Sequence, residues 1–186
     1  MASHTFQDVI KAHEQLTATN IAYWTHNTFL TYQWWILVGV LVIPWVIWYF
    51  VHDKSRNPEL VPKAFLVMII ASLMDSMGTE LHAWGYPHEL LPLLPRALAF
   101  DLGLLPVMYM LLCQYFVTIK RFLIATLVMA LFLAFVGEPI TIALKVYKPF
   151  FWRPYYSFPI YFLLAVVMRW ITAKLVIPAS IRRDPS

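Results

Sequence analysis

The chain has 186 residues, of which 61% are hydrophobic, 17% aromatic and only 13% charged, a balance too apolar for an ordinary soluble domain. Its formal charge of +4 does not point to nucleic acid, because Lys and Arg stand at the ends of apolar runs rather than on one polar face, so no nucleic-acid partner is expected. The single cysteine, Cys113, lies inside an apolar run, which rules out an internal disulfide and a CxxC metal or redox pair.

The first thirty residues lack a basic start, an apolar core and a small-residue cleavage site, so no cleaved signal peptide is expected. Thr5-Phe6-Gln7-Asp8 has the form of a capping box, and Phe6, Val9, Ile10, His13, Leu16, Ile21 and Trp24 follow at roughly helical spacing. Residues 1–31 are therefore expected to form an amphipathic helix, either lying at the membrane interface or covering the mouth of the bundle, with the interfacial reading preferred.

Five apolar runs then predict an all-α integral membrane bundle of five transmembrane helices over residues 32–178. The first span is expected at 33–51, with aromatics at both ends and a kink at Pro44, and the second at 64–84, after a polar link over 52–63 that carries two prolines. A turn-rich segment from Gly85 to Pro95 leads to a third span at 97–116. The fourth is placed at 122–144 and the fifth at 157–177, before a short basic cytoplasmic tail at 179–186. Lys54, Arg56, Lys63, Lys120, Arg121, Lys174, Arg182 and Arg183 fall on one side and Lys11, Arg96, Lys145, Lys148 and Arg153 on the other, which predicts the N-terminus out and the C-terminus in.

Carboxylates inside apolar runs are the candidate chemistry, since a charge at the centre of a membrane helix costs roughly 2.5–3.5 kcal/mol on insertion scales. Asp75, Thr79 and His82 are spaced by four and three residues and are expected on one inward helical face, with Glu80 turned away near the outer end. Glu138 precedes Pro139, which removes a backbone donor and frees a carbonyl beside the acid, and Thr141 lies on the same face. Asp101 stands near the start of the third span, as a capping or rim charge or as a site acid. Arg169, in the inner half of the fifth span, either pairs with Asp75 or snorkels to the inner interface.

Glu80, His82, His88, Glu89, Asp101 and Glu138 offer carboxylates and imidazoles, but Glu80-x-His82 and His88-Glu89 are not HExxH, so no metal or other cofactor is expected. Trp84, Tyr86 and His88 are read instead as aromatic-belt and loop-capping residues. No GxSxG, P-loop or GxGxxG pattern appears in a credible context.

Tyr32-Gln33-Trp34-Trp35, Tyr86-Pro87, Asp101-Leu102, Glu138-Pro139 and the run Tyr156-Ser157-Phe158-Pro159-Ile160-Tyr161 together resemble an uncharacterised family of small multi-pass membrane proteins from spore-forming Gram-positive bacteria. The resemblance covers almost the whole chain and implies a bacterial plasma membrane and a site built on Asp75, Asp101 and Glu138 rather than the histidines. It brings no activity or ligand with it.

The residues fit an acidic outer-half cavity, with Asp75, Glu80, Asp101 and Glu138 binding a small cationic or amphiphilic ligand and Thr79, His82, Thr141 and Arg169 in support, for transport or sensing. Membrane lipid is the expected surrounding partner, and transport by so small a chain implies a homo-oligomer or a membrane partner. The alternatives are an intramembrane acid-base enzyme acting on a lipid or isoprenoid, and a structural subunit registered by an Asp75–Arg169 pair.

Overall fold

The structure, a computed structural model, describes residues 5–175. The basic tail expected at 179–186 and the end of the fifth span lie outside the described residues. The protein is mostly helical: α1 (Phe6–Asn27), α2 (Tyr32–Val51), α3 (Asn57–Glu80), α4 (Leu105–Tyr115), α5 (Ile119–Phe132), α6 (Glu138–Ala143) and α7 (Pro154–Leu175), with a two-residue ladder between β1 (Trp84–Gly85) and β2 (Lys148–Pro149). Four helical stretches are long and apolar enough to cross a membrane: Tyr32–Val51, Lys54–Glu80, Ile119–Ala143 and Pro154–Thr172. Phe100–Tyr115 is a shorter apolar helix.

The capping box at the head of α1 forms, with the Thr5 N–H donating to Asp8 Oδ2 at 2.8 Å and the Asp8 N–H to Thr5 Oγ1 at 3.4 Å. The face of α1 that meets the rest of the protein differs from expectation. Thr17, Asn20, Trp24 and Thr28, at spacings of three and four, are its less exposed positions, while Phe6, Val9, Leu16 and Ile21 point outward. The indole of Trp24 donates to the carbonyl of Glu89 at 3.0 Å, and Thr28 Oγ1 shares a hydrogen bond with His88 Nδ1 at 3.2 Å, which pins the end of α1 to the 81–97 link.

α2 is continuous through Pro44, and only Gln33, Leu37 and Pro44 along it are buried. α3 starts inside the stretch expected to be a polar link. Asp53 closes a short turn at Lys54–Arg56 by accepting from the Ser55 N–H at 3.0 Å, and Pro58 sits in the first turn of α3, where a missing N–H costs no helical bond. Glu59 bridges Arg56 of the turn and Lys63 there, so Lys63, expected in the link, belongs to the helix. At its other end α3 stops at Glu80, short of the expected Trp84, and His82 turns the chain at φ 53°.

The core is a seam of small and medium side chains between α3, α4, α5 and α7. Leu60, Ala64, Val67 and Ala71 of α3 repeat at three and four residues and meet Tyr109, Met110, Phe122, Ala165 and Met168. Gly103 lets α2 approach closely: a Cβ there would lie 2.6 Å from the Val40 carbonyl oxygen and 2.7 Å from Leu41 Cα.

Side-chain hydrogen bonds show which ends of the helices lie together. Asp53 donates its N–H to Gln114 Oε1 at 3.0 Å, Arg56 donates to the Gln114 carbonyl at 2.7 Å, and Arg169 donates to the carbonyls of Phe116 and Val117 at 3.1 and 2.5 Å while lying over the Phe122 ring. At the opposite end the β1–β2 ladder joins the 81–97 and 145–153 links, the Phe150 N–H reaches the Ala83 carbonyl at 3.0 Å, and Trp34 donates to the Leu90 carbonyl at 3.1 Å.

Candidate functional site

Two local departures from α-helix prepare the site. Over Phe100–Leu104 the chain makes a π turn, with the Leu105 N–H bonded to the Phe100 carbonyl, and over Leu133–Gly137 a second one, with the Glu138 N–H bonded to the Leu133 carbonyl. Each widened turn is followed by a proline, Pro106 or Pro139, whose missing N–H interrupts the normal ladder. Pro106 has no hydrogen to give the Leu102 carbonyl, and the indole of Trp45 supplies one at 2.7 Å instead. The first π turn carries Asp101 and the second ends at Glu138.

Asp101, Glu138 and Asp75 meet around one cavity of about 190 Å³. Asp75 and Asp101 are 7% and 4% exposed, and Glu138 is half-buried. Trp84 donates from Nε1 to Asp75 Oδ1 at 2.9 Å, and the Tyr86 hydroxyl donates to the same oxygen at 2.6 Å. Asp75 Oδ2 and Asp101 Oδ2 are buried and have no hydrogen-bond partner. On the far wall the Tyr161 hydroxyl donates to Glu138 Oε1 at 3.1 Å, and Trp152 donates to Ser157 Oγ at 2.8 Å. Met74, Phe100, Leu104, Leu105 and Leu164 supply apolar lining.

The ladder at 84–149 explains how distant aromatics reach these acids. Pairing of Trp84 with Pro149 and of Gly85 with Lys148 folds both links over the cavity, where the Trp84 and Trp152 rings pack edge to face at 4.8 Å. Gly78 makes room for this arrangement, since a Cβ there would lie 2.0 Å from the Trp84 ring. In the link, Tyr86 and Tyr147 are both held above the ordinary phenol range, chiefly by burial. Their hydroxyls are therefore donors at neutral pH.

Of the residues expected to form the site, Asp75, Asp101, Glu138 and Thr141 line the cavity. The Thr141 hydroxyl donates to the Glu138 carbonyl at 2.8 Å. Glu80 does not belong: it is exposed at the end of α3 and is absent from the cavity wall. Thr79 turns its hydroxyl to the Asp75 and Ser76 carbonyls, and His82 is exposed beyond the helix end, because the stop at Glu80 ends the three-four repeat before it reaches His82. Arg169 lies at the opposite end of the bundle, so the expected Asp75–Arg169 pair does not form. Asp101 is buried in a π turn rather than capping at a solvated rim.

Trp84 and Tyr86, expected as belt and loop residues, are direct partners of Asp75; Tyr147, Trp152, Ser157 and Tyr161 were not anticipated. The only sequence sign of the last two was the Tyr156–Tyr161 run that carries the family resemblance. Among the described residues, no three His, Cys, Asp or Glu side chains gather as a metal-ligand group. Comparison with known protein families, curated proteins and solved structures finds no match to this chain.

Proposed function

We propose that the chain is a five-pass protein of the bacterial plasma membrane, N-terminus out and C-terminus in, whose outer-half cavity binds a small cationic or amphiphilic ligand for transport or sensing. The observation that carries this reading is the gathering of Asp75, Asp101 and Glu138, from three separate helices, around one cavity with no Lys, Arg or His in its wall among the described residues. Carboxylates in an apolar medium are costly without a facing cation, and a bound cation offsets that cost. Arg96 acts on Asp75 from the link but is itself exposed. The faces of Trp84, Tyr86, Trp152 and Tyr161 add attraction for a cation through their ring quadrupoles.

The fifth crossing rests on Phe100–Tyr115. Its head lines the cavity beside Trp84, and at the other end of the bundle its tail offers the Cys113 and Gln114 carbonyls to Arg56. At 1.5 Å per residue it is about 24 Å long against a hydrocarbon core of about 30 Å, a shortfall met by the helical residues Leu98 and Ala99 and by local thinning of the bilayer. α1 lies at the outer interface in this reading, with Phe6, Val9 and Leu16 turned to lipid. Transport would take a homo-oligomer or a membrane partner.

Native mass spectrometry of gently purified protein, beside an Asp75→Asn/Glu138→Gln variant, tests the binding reading. A specific bound amine or lipid lost in the folded variant is the expected result; an empty wild-type protein, or equal occupancy in both, would count against it. A second reading, an intramembrane acid-base enzyme acting on a lipid or isoprenoid, is favoured by two phenol–carboxyl pairs, Tyr86 with Asp75 and Tyr161 with Glu138, facing one space. Lipid extracts from cells with and without the protein separate the two, since only the enzyme changes which lipid species are present.

A further inference from the structure

We infer that the ligand is an ammonium bearing N–H donors, a protonated primary or secondary amine with a short apolar tail, and not a quaternary ammonium; this rests on the cation-binding reading above. Asp75 Oδ2 and Asp101 Oδ2 are acceptors buried at the cavity with no partner, on side chains more than nine-tenths buried. Buried acceptors are almost always satisfied, so a bound group should supply what the protein does not.

Most donors in the wall are committed elsewhere, and Tyr147, which also lines the cavity, makes no hydrogen bond to either Oδ2. Trp84 and Tyr86 both serve Asp75 Oδ1, Tyr161 serves Glu138 Oε1, and Trp152 serves Ser157. The Ala97 backbone also donates toward Asp75 and the Ser72 hydroxyl toward Asp101, but neither forms a hydrogen bond of normal length and angle to Oδ2. An ammonium with two or three N–H groups would satisfy both oxygens at once, whereas a quaternary nitrogen presents only carbon-bound hydrogens and would leave both bare. The space sets the tail: a cavity of about 150 Å³ holds a benzene ring, so about 190 Å³ here suits an amine of a few carbons lying on Phe100, Leu104 and Leu164.

Three probes of five heavy atoms each decide the matter on the unaltered protein in lipid nanodiscs: butylammonium, its isomer tetramethylammonium, and neutral 1-butanol. Binding is read by calorimetry against empty nanodiscs, with a change in the protein's tryptophan emission, to which Trp84 and Trp152 in the cavity wall contribute, as a second signal. The expected result is butylammonium bound at least tenfold more tightly than either of the others. If tetramethylammonium equals or beats butylammonium while both exceed butanol, the cavity still takes cations and the inference about N–H donors is overturned. If neither cation exceeds butanol, the cation-binding reading falls and this inference falls with it.

Discussion

Trp84 and Tyr86 both donate to one oxygen of Asp75 and hold its carboxyl group in a single orientation at the cavity wall. Tyr86→Phe removes the shorter of these bonds without changing the ring, and is expected to destabilise the protein by about 1–3 kcal/mol, the cost of leaving a buried acceptor short of a donor. A thermal melt in detergent checks it; an unchanged midpoint would mean that the bond contributes nothing to the fold. Gly78→Ala acts on the same acid through packing. Its Cβ would fall 2.0 Å from the Trp84 ring, which has to leave Asp75 to make room. A loss of about 1–3 kcal/mol, with a shift in tryptophan emission, is expected, and a variant with native emission and stability would contradict the close approach. Asp75, Asp101 and Glu138 were legible in the sequence because ionisable groups in apolar runs carry a large cost that demands a reason. Trp84 and Tyr86 were not, because aromatic residues near span ends fit the interfacial belt equally well and nothing in their spacing reveals a partner nine or eleven residues back.

Among the elements, the helix through Phe100–Tyr115 shows how a proline and a tryptophan on another helix cooperate. Trp45 fills the carbonyl of Leu102 that Pro106 leaves without its helical donor. Trp45→Phe keeps an aromatic ring and removes the N–H, so a loss of about 1–3 kcal/mol is expected from the orphaned carbonyl. In a Trp45→Phe/Pro106→Ala double variant the backbone regains a donor and part of that loss should return. Additive losses in the double-variant cycle would show that the two residues act separately. The widened turns themselves had only a partial signature: Pro139 beside Glu138 pointed to a disturbed ladder, but a π turn leaves no periodicity of its own in five residues. The same holds for the two-residue β1–β2 ladder, which is made of backbone bonds alone.

The 81–97 link carries a pH dependence of its own. Burial pushes Glu89 up from 4.5 to about 7, with Arg96 opposing the shift. A raised carboxyl favours the folded state while it is protonated, so its contribution is full below pH 4.5 and is lost as the pH rises toward 7. His88, held below its ordinary range by burial and by Lys145, works in the opposite sense, its contribution fading as the pH falls through 6.5. Because the two oppose, the informative quantity is the difference between wild type and Glu89→Gln. The variant is expected to gain stability relative to wild type as the pH is raised from 4.5 to 8, and a difference that stays flat over that range would contradict a buried Glu89. Since Trp24 and Thr28 bond to Glu89 and His88, hydrogen exchange at the end of α1 should follow the same trend.

At the scale of the whole molecule, helical class and four of the span positions were legible from the lengths of apolar runs, whereas the end of α3 and the exposed side of α1 depended on contacts between links. Those contacts sort the chain into two ends. Ser55 and Val117 lie at the end where Asp53 meets Gln114, and Leu93 and Phe151 at the end closed by the ladder. Five crossings with the N-terminus outside would put the first pair in the cytoplasm and the second pair outside. The single native cysteine, Cys113, is buried, so exposed reporters stand out clearly. Ser55→Cys, Val117→Cys, Leu93→Cys and Phe151→Cys leave every charged residue in place and so do not disturb the positive-inside signal. In intact cells a membrane-impermeant thiol reagent is expected to label positions 93 and 151 directly and positions 55 and 117 only after permeabilisation. The reverse pattern would invert the orientation and place the acidic cavity on the cytoplasmic side, while opposite labelling of 55 and 117 would show that Phe100–Tyr115 does not cross.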